Sequence, residues 1–420
     1  MQVLRGPLLN PQSAAQCDFY PDGGLLVGDS GLIEQVGPFE EVARTVRGQM
    51  IKTIKVTVLD SGEILVPGFV DAHVHMPQHD VRGEFRKDLM PWLREYIWPQ
   101  ERKFEDPAFA NEKAAEFFKD MVAQGTLLSQ VMGSIHEGAL EAIFSKQVGH
   151  VLAGNVLMDT GCEESGLQQS TAEAIALMER MSALHGEKYV ITPRFLPTCT
   201  MELLRACGAL AARTRQRVHT HLCESPGEIE LVMAEAKQHG YSSYTDAYSQ
   251  AGLLGPRSVM AHCVHMSPDE LRLLQQTGTG VAHCPESNDN LNSGRMQAET
   301  LMEMGIPFGL GSDEGAGSTL AMPYHMKRYM EAQGDWAPLT GADVIFRASL
   351  AGAQILGMDQ VTGNLNPGKE ANVVILNIGA RPRSVEEAVE AMIAGSKDEI
   401  ERRVRRTIFQ GKAVFEREAA

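Results

Sequence analysis

The sequence predicts an α/β protein: a (β/α)8 barrel with a small β-sandwich domain built from both chain termini. Residues 67–367 alternate strand-like apolar runs with amphipathic helical windows, the pattern of repeated βα units on a parallel sheet. Eight such runs can be counted, and polar residues gather at their ends, where a barrel of this kind places its chemistry. A chain of 420 residues, 43% hydrophobic and 22% charged, has a globular composition and the length for one such barrel with an accessory domain.

Residues 1–66 carry short runs rich in Gly, Val, Ile and Leu, at 24–27, 31–36 and 51–59, which read as short strands with turns between them. The tail returns to that texture at 371–376 and 404–415, so 1–66 and 368–420 are expected to pair into one small domain. Between them the eight strands are expected at 69–75, 126–132, 151–157, 190–195, 217–222, 259–263, 279–284 and 307–312. Three helices announce their starts with capping boxes, in which a serine N-cap is followed three residues on by glutamate: Ser170 with Glu173, Ser225 with Glu228, and Ser267 with Glu270. Pro226 and Pro268 occupy the first helical position. A further outer helix is expected over 111–124, with Gly125 as its stop.

The formal net charge of -16 argues against nucleic acid and against anionic membrane as partners. The densest basic run, residues 402–406, alternates with apolar positions and reads as the exposed face of a terminal strand. Seven scattered cysteines without a C-x-x-C pair point to reduced thiols and a cytoplasmic protein. The N-terminus lacks the features of a signal peptide, and no window approaches 18 uninterrupted apolar residues, so no membrane span is expected.

The strand ends hold the chemistry. His73 and His75 end the first strand, Arg194 stands at the end of the fourth, His221 on the fifth, His262 on the sixth, His283 on the seventh, and Asp313 just past the eighth. Side chains two apart on a strand point the same way, so the His73-x-His75 pair can reach one ion. His221 and Asp313 would complete four nitrogen and oxygen ligands, suited to one divalent metal per chain: Zn2+ first, with Fe2+ as the alternative. The fourth strand offers no lysine to bridge a second ion. Glu224, three residues after His221 on the loop leaving the same strand, is the natural general base and acid. His262 either ligates the metal or hydrogen-bonds the attacking water; the second role is favoured, because a fifth protein ligand would crowd that water. His283 reads equally as catalytic or structural, and His136, His219 and His265 as structural or surface residues.

Taken together, residues 67–75, His221-Leu-Cys-Glu224, Met260-Ala-His262, His283-Cys-Pro285 and 309–313 resemble the amidohydrolase superfamily, in its metal-dependent deaminase branch. Within that branch the chain is most similar to the guanine deaminases, through Met76-Pro-Gln78, residues 89–101, residues 191–195 and the tail from 387 to 415. The resemblance implies zinc-dependent hydrolytic deamination of guanine to xanthine and ammonia by a homodimer. It also implies that Gln78 and Arg194 hold the small heterocyclic base and that Phe195 packs against its ring. The alternative is a deaminase or chlorohydrolase of the same superfamily acting on an oxidised purine, a pterin or a triazine. Glu286, Asp289, Asn292 and Glu314 depart from the family pattern and leave the substrate open between these readings.

Overall fold

The computed structural model describes residues 1–48, 54–83, 85, 89–334 and 339–418. The chain divides into two compact units, one of Met1–Asp71, Lys119–Leu128 and Ala321–Ala420, the other of Ala72–Phe118 and Ser129–Leu320.

In the first unit the strands of both termini share a single eight-stranded sheet. Gln2–Ser13 pairs antiparallel with Gln16–Val27, which pairs antiparallel with Ile33–Pro38. Glu63–Pro67 pairs antiparallel with Val373–Asn377, joining the N-terminal strands to the C-terminal ones. Val404–Phe409 and Lys412–Glu416 close the order as a hairpin whose two-residue turn, Gln410 and Gly411, has positive φ at both positions (49° and 75°), the twist-matched turn that glycine favours. Leu4, Leu8, Leu25, Ile33, Val373 and Ile408 form part of its apolar core. The expected run 404–415 is thus two strands. Lys55–Val58 falls within the expected run 51–59, of which 51–53 lie outside the described residues. The helices Phe39–Gly48 and Val385–Ile393 were not anticipated from the pattern.

The second unit holds a six-stranded parallel sheet in chain order: Val156–Leu157, Val190–Pro193, Arg217–Leu222, Ser258–His262, Gly280–His283 and Phe308–Leu310. A three-stranded sheet comprises Phe69–His75, Thr126–Met132 and His150–Gly154. The strands expected at 69–75, 126–132 and 217–222 occur with those bounds. The strand expected at 151–157 is broken at Asn155, whose Oδ1 accepts from the Tyr189 hydroxyl at 2.9 Å and whose carbonyl accepts from Thr192 Oγ1 at 2.5 Å. Side-chain bonds take over from the ladder there. The fourth strand ends at Pro193, and Arg194 and Phe195 lie just beyond it, with Arg194 still giving its N–H to the Leu157 carbonyl and accepting the His221 N–H on its own carbonyl. All three capping boxes are formed. The helix expected at 111–124 is Pro107–Ala123; it starts earlier because Asp106 Oδ1 accepts from the Ala108 N–H ahead of it and Pro107 is its first residue.

Candidate active site

His73, His75, His221 and His262 sit at the C-terminal ends of their strands; Gln78, Arg194, Phe195, Glu224 and Asp313 sit on the turns that follow. All nine are buried. His262 and Asp313 have φ of 71° and 47°, a region that non-glycine residues rarely occupy and that concentrates at functional sites.

Hydrogen bonds fix the tautomers of His219, His73 and His221. His219 Nδ1 donates to the Val259 carbonyl at 2.9 Å, which leaves its Nε2 as an acceptor. That nitrogen lies 2.7 Å from His73 Nδ1, which therefore carries the proton, so His73 Nε2 is a bare lone pair facing Asp313 Oδ1 at 3.1 Å. His221 Nδ1 likewise donates to the Arg194 carbonyl at 2.6 Å, and its Nε2 lone pair stands 3.2 Å from His75 Nε2. His75 Nε2 is 3.4 Å from the same Asp313 oxygen. Burial pulls the pKa of His73 down, and burial with neighbouring histidines pulls those of His75, His219 and His221 well down. The Asp313 carboxyl is held well below its ordinary value, the surrounding histidines outweighing the effect of burial.

The lone pairs of His73 and His221, converging with the His75 ring and a carboxylate, fit a cation. Metal bonds of about 2.0–2.1 Å in tetrahedral geometry separate ligand atoms by roughly 3.3 Å, which matches the His73–Asp313, His75–Asp313 and His75–His221 spacings, and ligand atoms of His73, His75 and His221 all lie within 4.8 Å of one another. The Cys284 thiol also lies within 4.8 Å of ligand atoms of His73, His262 and Asp313.

His262 Nε2 sits between two carboxylates, 3.6 Å from Glu224 Oε2 and 3.8 Å from Asp313 Oδ2, while its Nδ1 pairs with Asn288 Oδ1 at 2.9 Å. Burial lowers its pKa, yet the two carboxylates more than offset that and raise it above the ordinary value. Burial lifts the Glu224 carboxyl to about 7, a value suited to taking and returning a proton near neutral pH. Ser293 Oγ donates to Glu224 Oε1 at 3.2 Å, and the Glu224 N–H donates to Glu228 Oε2 at 2.9 Å. The capping glutamate therefore also anchors the backbone of Glu224.

A cleft opens beside these groups. Gln78, Arg194, Phe195 and Glu224 line it with Trp92 and Leu93 from an apolar helical segment.

The amidohydrolase family pattern matches residues 64–414. The chain belongs to the amidohydrolase family. It is 33% identical to the guanine deaminase of Escherichia coli, over 97% of this chain and 94% of that one. It is 34% identical to a probable guanine deaminase of Deinococcus radiodurans, over the full length of both. The solved structure of the E. coli guanine deaminase superposes with a TM-score of 0.91 at 30% identity over 100% of each chain. That of a guanine deaminase from Bradyrhizobium japonicum superposes at 0.89 with 28% identity over 99% of each.

In this amidohydrolase the residues that depart from the family pattern do not line the cleft. Glu314 is fully buried in an ion-pair network, 2.8 Å from His79 Nδ1 and 3.0 Å from Arg82 Nη1. Glu286 accepts from the backbone N–H of Ser318, while Asp289 and Asn292 are exposed. His283 is buried at the end of its strand, its carbonyl accepting from the Gly311 N–H. His136 and His265 pair with Ser134 Oγ and the Ser293 carbonyl. Sequence reasoning set His219 aside and assigned nothing to Ser293, Asn288 or Glu101. The His219-x-His221 spacing was the available signal for the first; the others become visible only when distant segments meet.

Proposed function

We propose that this amidohydrolase is a guanine deaminase, hydrolysing guanine to xanthine and ammonia. The observation that carries the reading is the cleft wall: an Arg194 donor beside a Gln78 amide and the Phe195 ring, next to the histidine–aspartate cluster. A guanidinium is the natural donor to the 6-oxo group of guanine, and the amide can read a ring edge. The end-to-end likeness to guanine deaminases supports it, and no residue that departs from the family pattern lines the cleft.

His73, His75, His221 and Asp313 would hold one divalent ion per chain, zinc in our reading. Such an ion, when bound, lowers the pKa of water so that hydroxide is available near neutral pH. The Glu224 carboxylate takes the water proton and delivers it to a ring nitrogen of guanine as oxygen adds to the carbon bearing the amino group. The His262 Nε2 orients that oxygen. Glu224 then carries a second proton from the added hydroxyl to the amino group, the C–N bond breaks, and ammonia and xanthine leave.

We also read the two parallel sheets as arcs of one (β/α)8 barrel spanning 67–367. The Ala153–Tyr189 bridge supports one junction; the Asp313 N–H to His73 carbonyl bond supports the other. In the same reading 1–66 and 368–420 curl into the small β-sandwich, and the protein acts as a cytoplasmic homodimer, as the resemblance implies. Among the described residues no helix is long and apolar enough to cross a membrane.

The test is ammonia release and xanthine formation by metal-analysed protein across a panel of guanine, an oxidised purine, a pterin and a triazine. Guanine should be the preferred substrate. Failure on guanine with success on another base would refute the assignment and favour the alternative.

A further inference from the structure

Behind the cleft wall lies a buried carboxylate that the chemistry above does not use. Glu101, on the helix Trp98–Arg102, is 1% exposed. Its Oε1 accepts from Gln78 Nε2 at 3.1 Å and its Oε2 pairs with Arg194 Nη1 at 2.6 Å. One side chain thus grips both residues that line the cleft as candidate readers of the base.

A glutamine amide is ambiguous by itself, because rotating it by half a turn exchanges a donor for an acceptor. A carboxylate offers acceptors alone, so Glu101 holds the Nε2 side of Gln78 towards itself and turns Oε1 the other way. That oxygen is buried and makes no hydrogen bond among the described residues. It packs against Gly315, where φ is 120° and an added Cβ would stand 2.0 Å from the oxygen. An acceptor so placed and desolvated favours a ligand N–H and penalises a ligand lone pair.

We propose that Glu101 is a positioning residue that sets base specificity, by fixing Gln78 as an acceptor and Arg194 as a donor. The cleft then selects a ring that presents N–H beside C=O, as a 6-oxopurine does, over one with an amino group and a bare ring nitrogen in those places. The inference rests on the proposed purine site, and it names the residue that makes that site discriminate.

The experiment measures equilibrium binding of hypoxanthine and adenine to the zinc-loaded full-length protein by calorimetry, together with kcat and KM for guanine. The wild type should prefer hypoxanthine by at least about tenfold, the scale of one buried hydrogen-bond mismatch. Glu101→Gln, which can both donate and accept, should cut that preference at least about fivefold and raise the guanine KM about tenfold, with kcat and zinc content changing less than threefold. Gln78→Ala, which removes the acceptor itself, should lower the preference to the same degree. Adding Glu101→Gln to Gln78→Ala should then have a reduced further effect. Retention of the full preference in Glu101→Gln or in Gln78→Ala, or full multiplication of the two penalties, would overturn the proposal. If Glu101→Gln does not fold, Glu101→Asp, whose shorter side chain loses reach to Gln78 Nε2 and Arg194 Nη1, is held to the same criterion. Binding is read independently of turnover, so a wild type that fails to deaminate guanine refutes the proposed activity without touching the preference measurement.

Discussion

Replacing His219 with Phe removes the acceptor beneath His73 while keeping a ring of similar size. His73 Nδ1–H, buried and 2.7 Å from His219 Nε2, would lose its partner. Leaving a buried donor unsatisfied costs about 1–3 kcal/mol, and the ring can relieve that cost by exchanging tautomers or turning. Either response takes the Nε2 lone pair away from the point where His75, His221 and Asp313 converge. At 1.36 kcal/mol per decade the loss corresponds to roughly 10- to 100-fold in metal affinity, the range that hydrogen-bond partners of metal-ligating histidines usually contribute. The assay is zinc affinity by chelator competition, with far-ultraviolet circular dichroism to show that the variant is folded. His219→Gln, whose amide oxygen can accept, should recover part of the loss. A folded His219→Phe that binds zinc within twofold of wild type would refute the tautomer relay.

Two further outcomes follow from the same geometry. Glu224→Gln keeps the side-chain shape and a hydrogen-bonding partner for Ser293 but cannot take the water proton, so kcat should fall by about 10²- to 10⁴-fold with zinc content unchanged; near wild-type ammonia release from metal-loaded variant would dismiss the assignment. Gly315→Ala places a methyl on Gln78 Oε1 and strains a backbone at φ 120°, so the guanine KM should rise at least tenfold, by the loss of about one hydrogen bond, in steady-state kinetics; an unchanged KM would mean that Gln78 does not contact the base.

Much of this was legible in the residues because the grammar is local. Ser225, Pro226 and Glu228 specify a helix start within four residues, and that start leaves Glu224 on the loop beside His221. The His73-x-His75 pair obeys the two-residue period of a strand, so its shared face could be read without coordinates. What escaped were features decided by contacts between distant segments. Glu101 lies 93 residues from Arg194 and reaches it because the helical segment 89–102 folds beside the fourth strand end. That segment includes a wider π turn at Leu93–Ile97, just before Pro99, which has no N–H to give the preceding turn. Glu314 was an acidic residue beside Asp313, open to a role at the substrate; Arg82 and His79 instead enclose it away from the cleft. Asn155 interrupted a uniformly apolar run through its side-chain bonds, which no periodicity count contains.

The positive φ angles at His262 and Asp313 carry an implication for anyone who would make this protein hardier. Glycine would relax both backbones, and asparagine would sit more easily than histidine at position 262, so backbone strain falls as the imidazole or carboxylate is given up. Stability and reactivity are opposed at those two positions. Substitutions aimed at heat tolerance therefore belong on exposed apolar sites such as Val58, Leu184 and Leu231, and the rim should keep its strain.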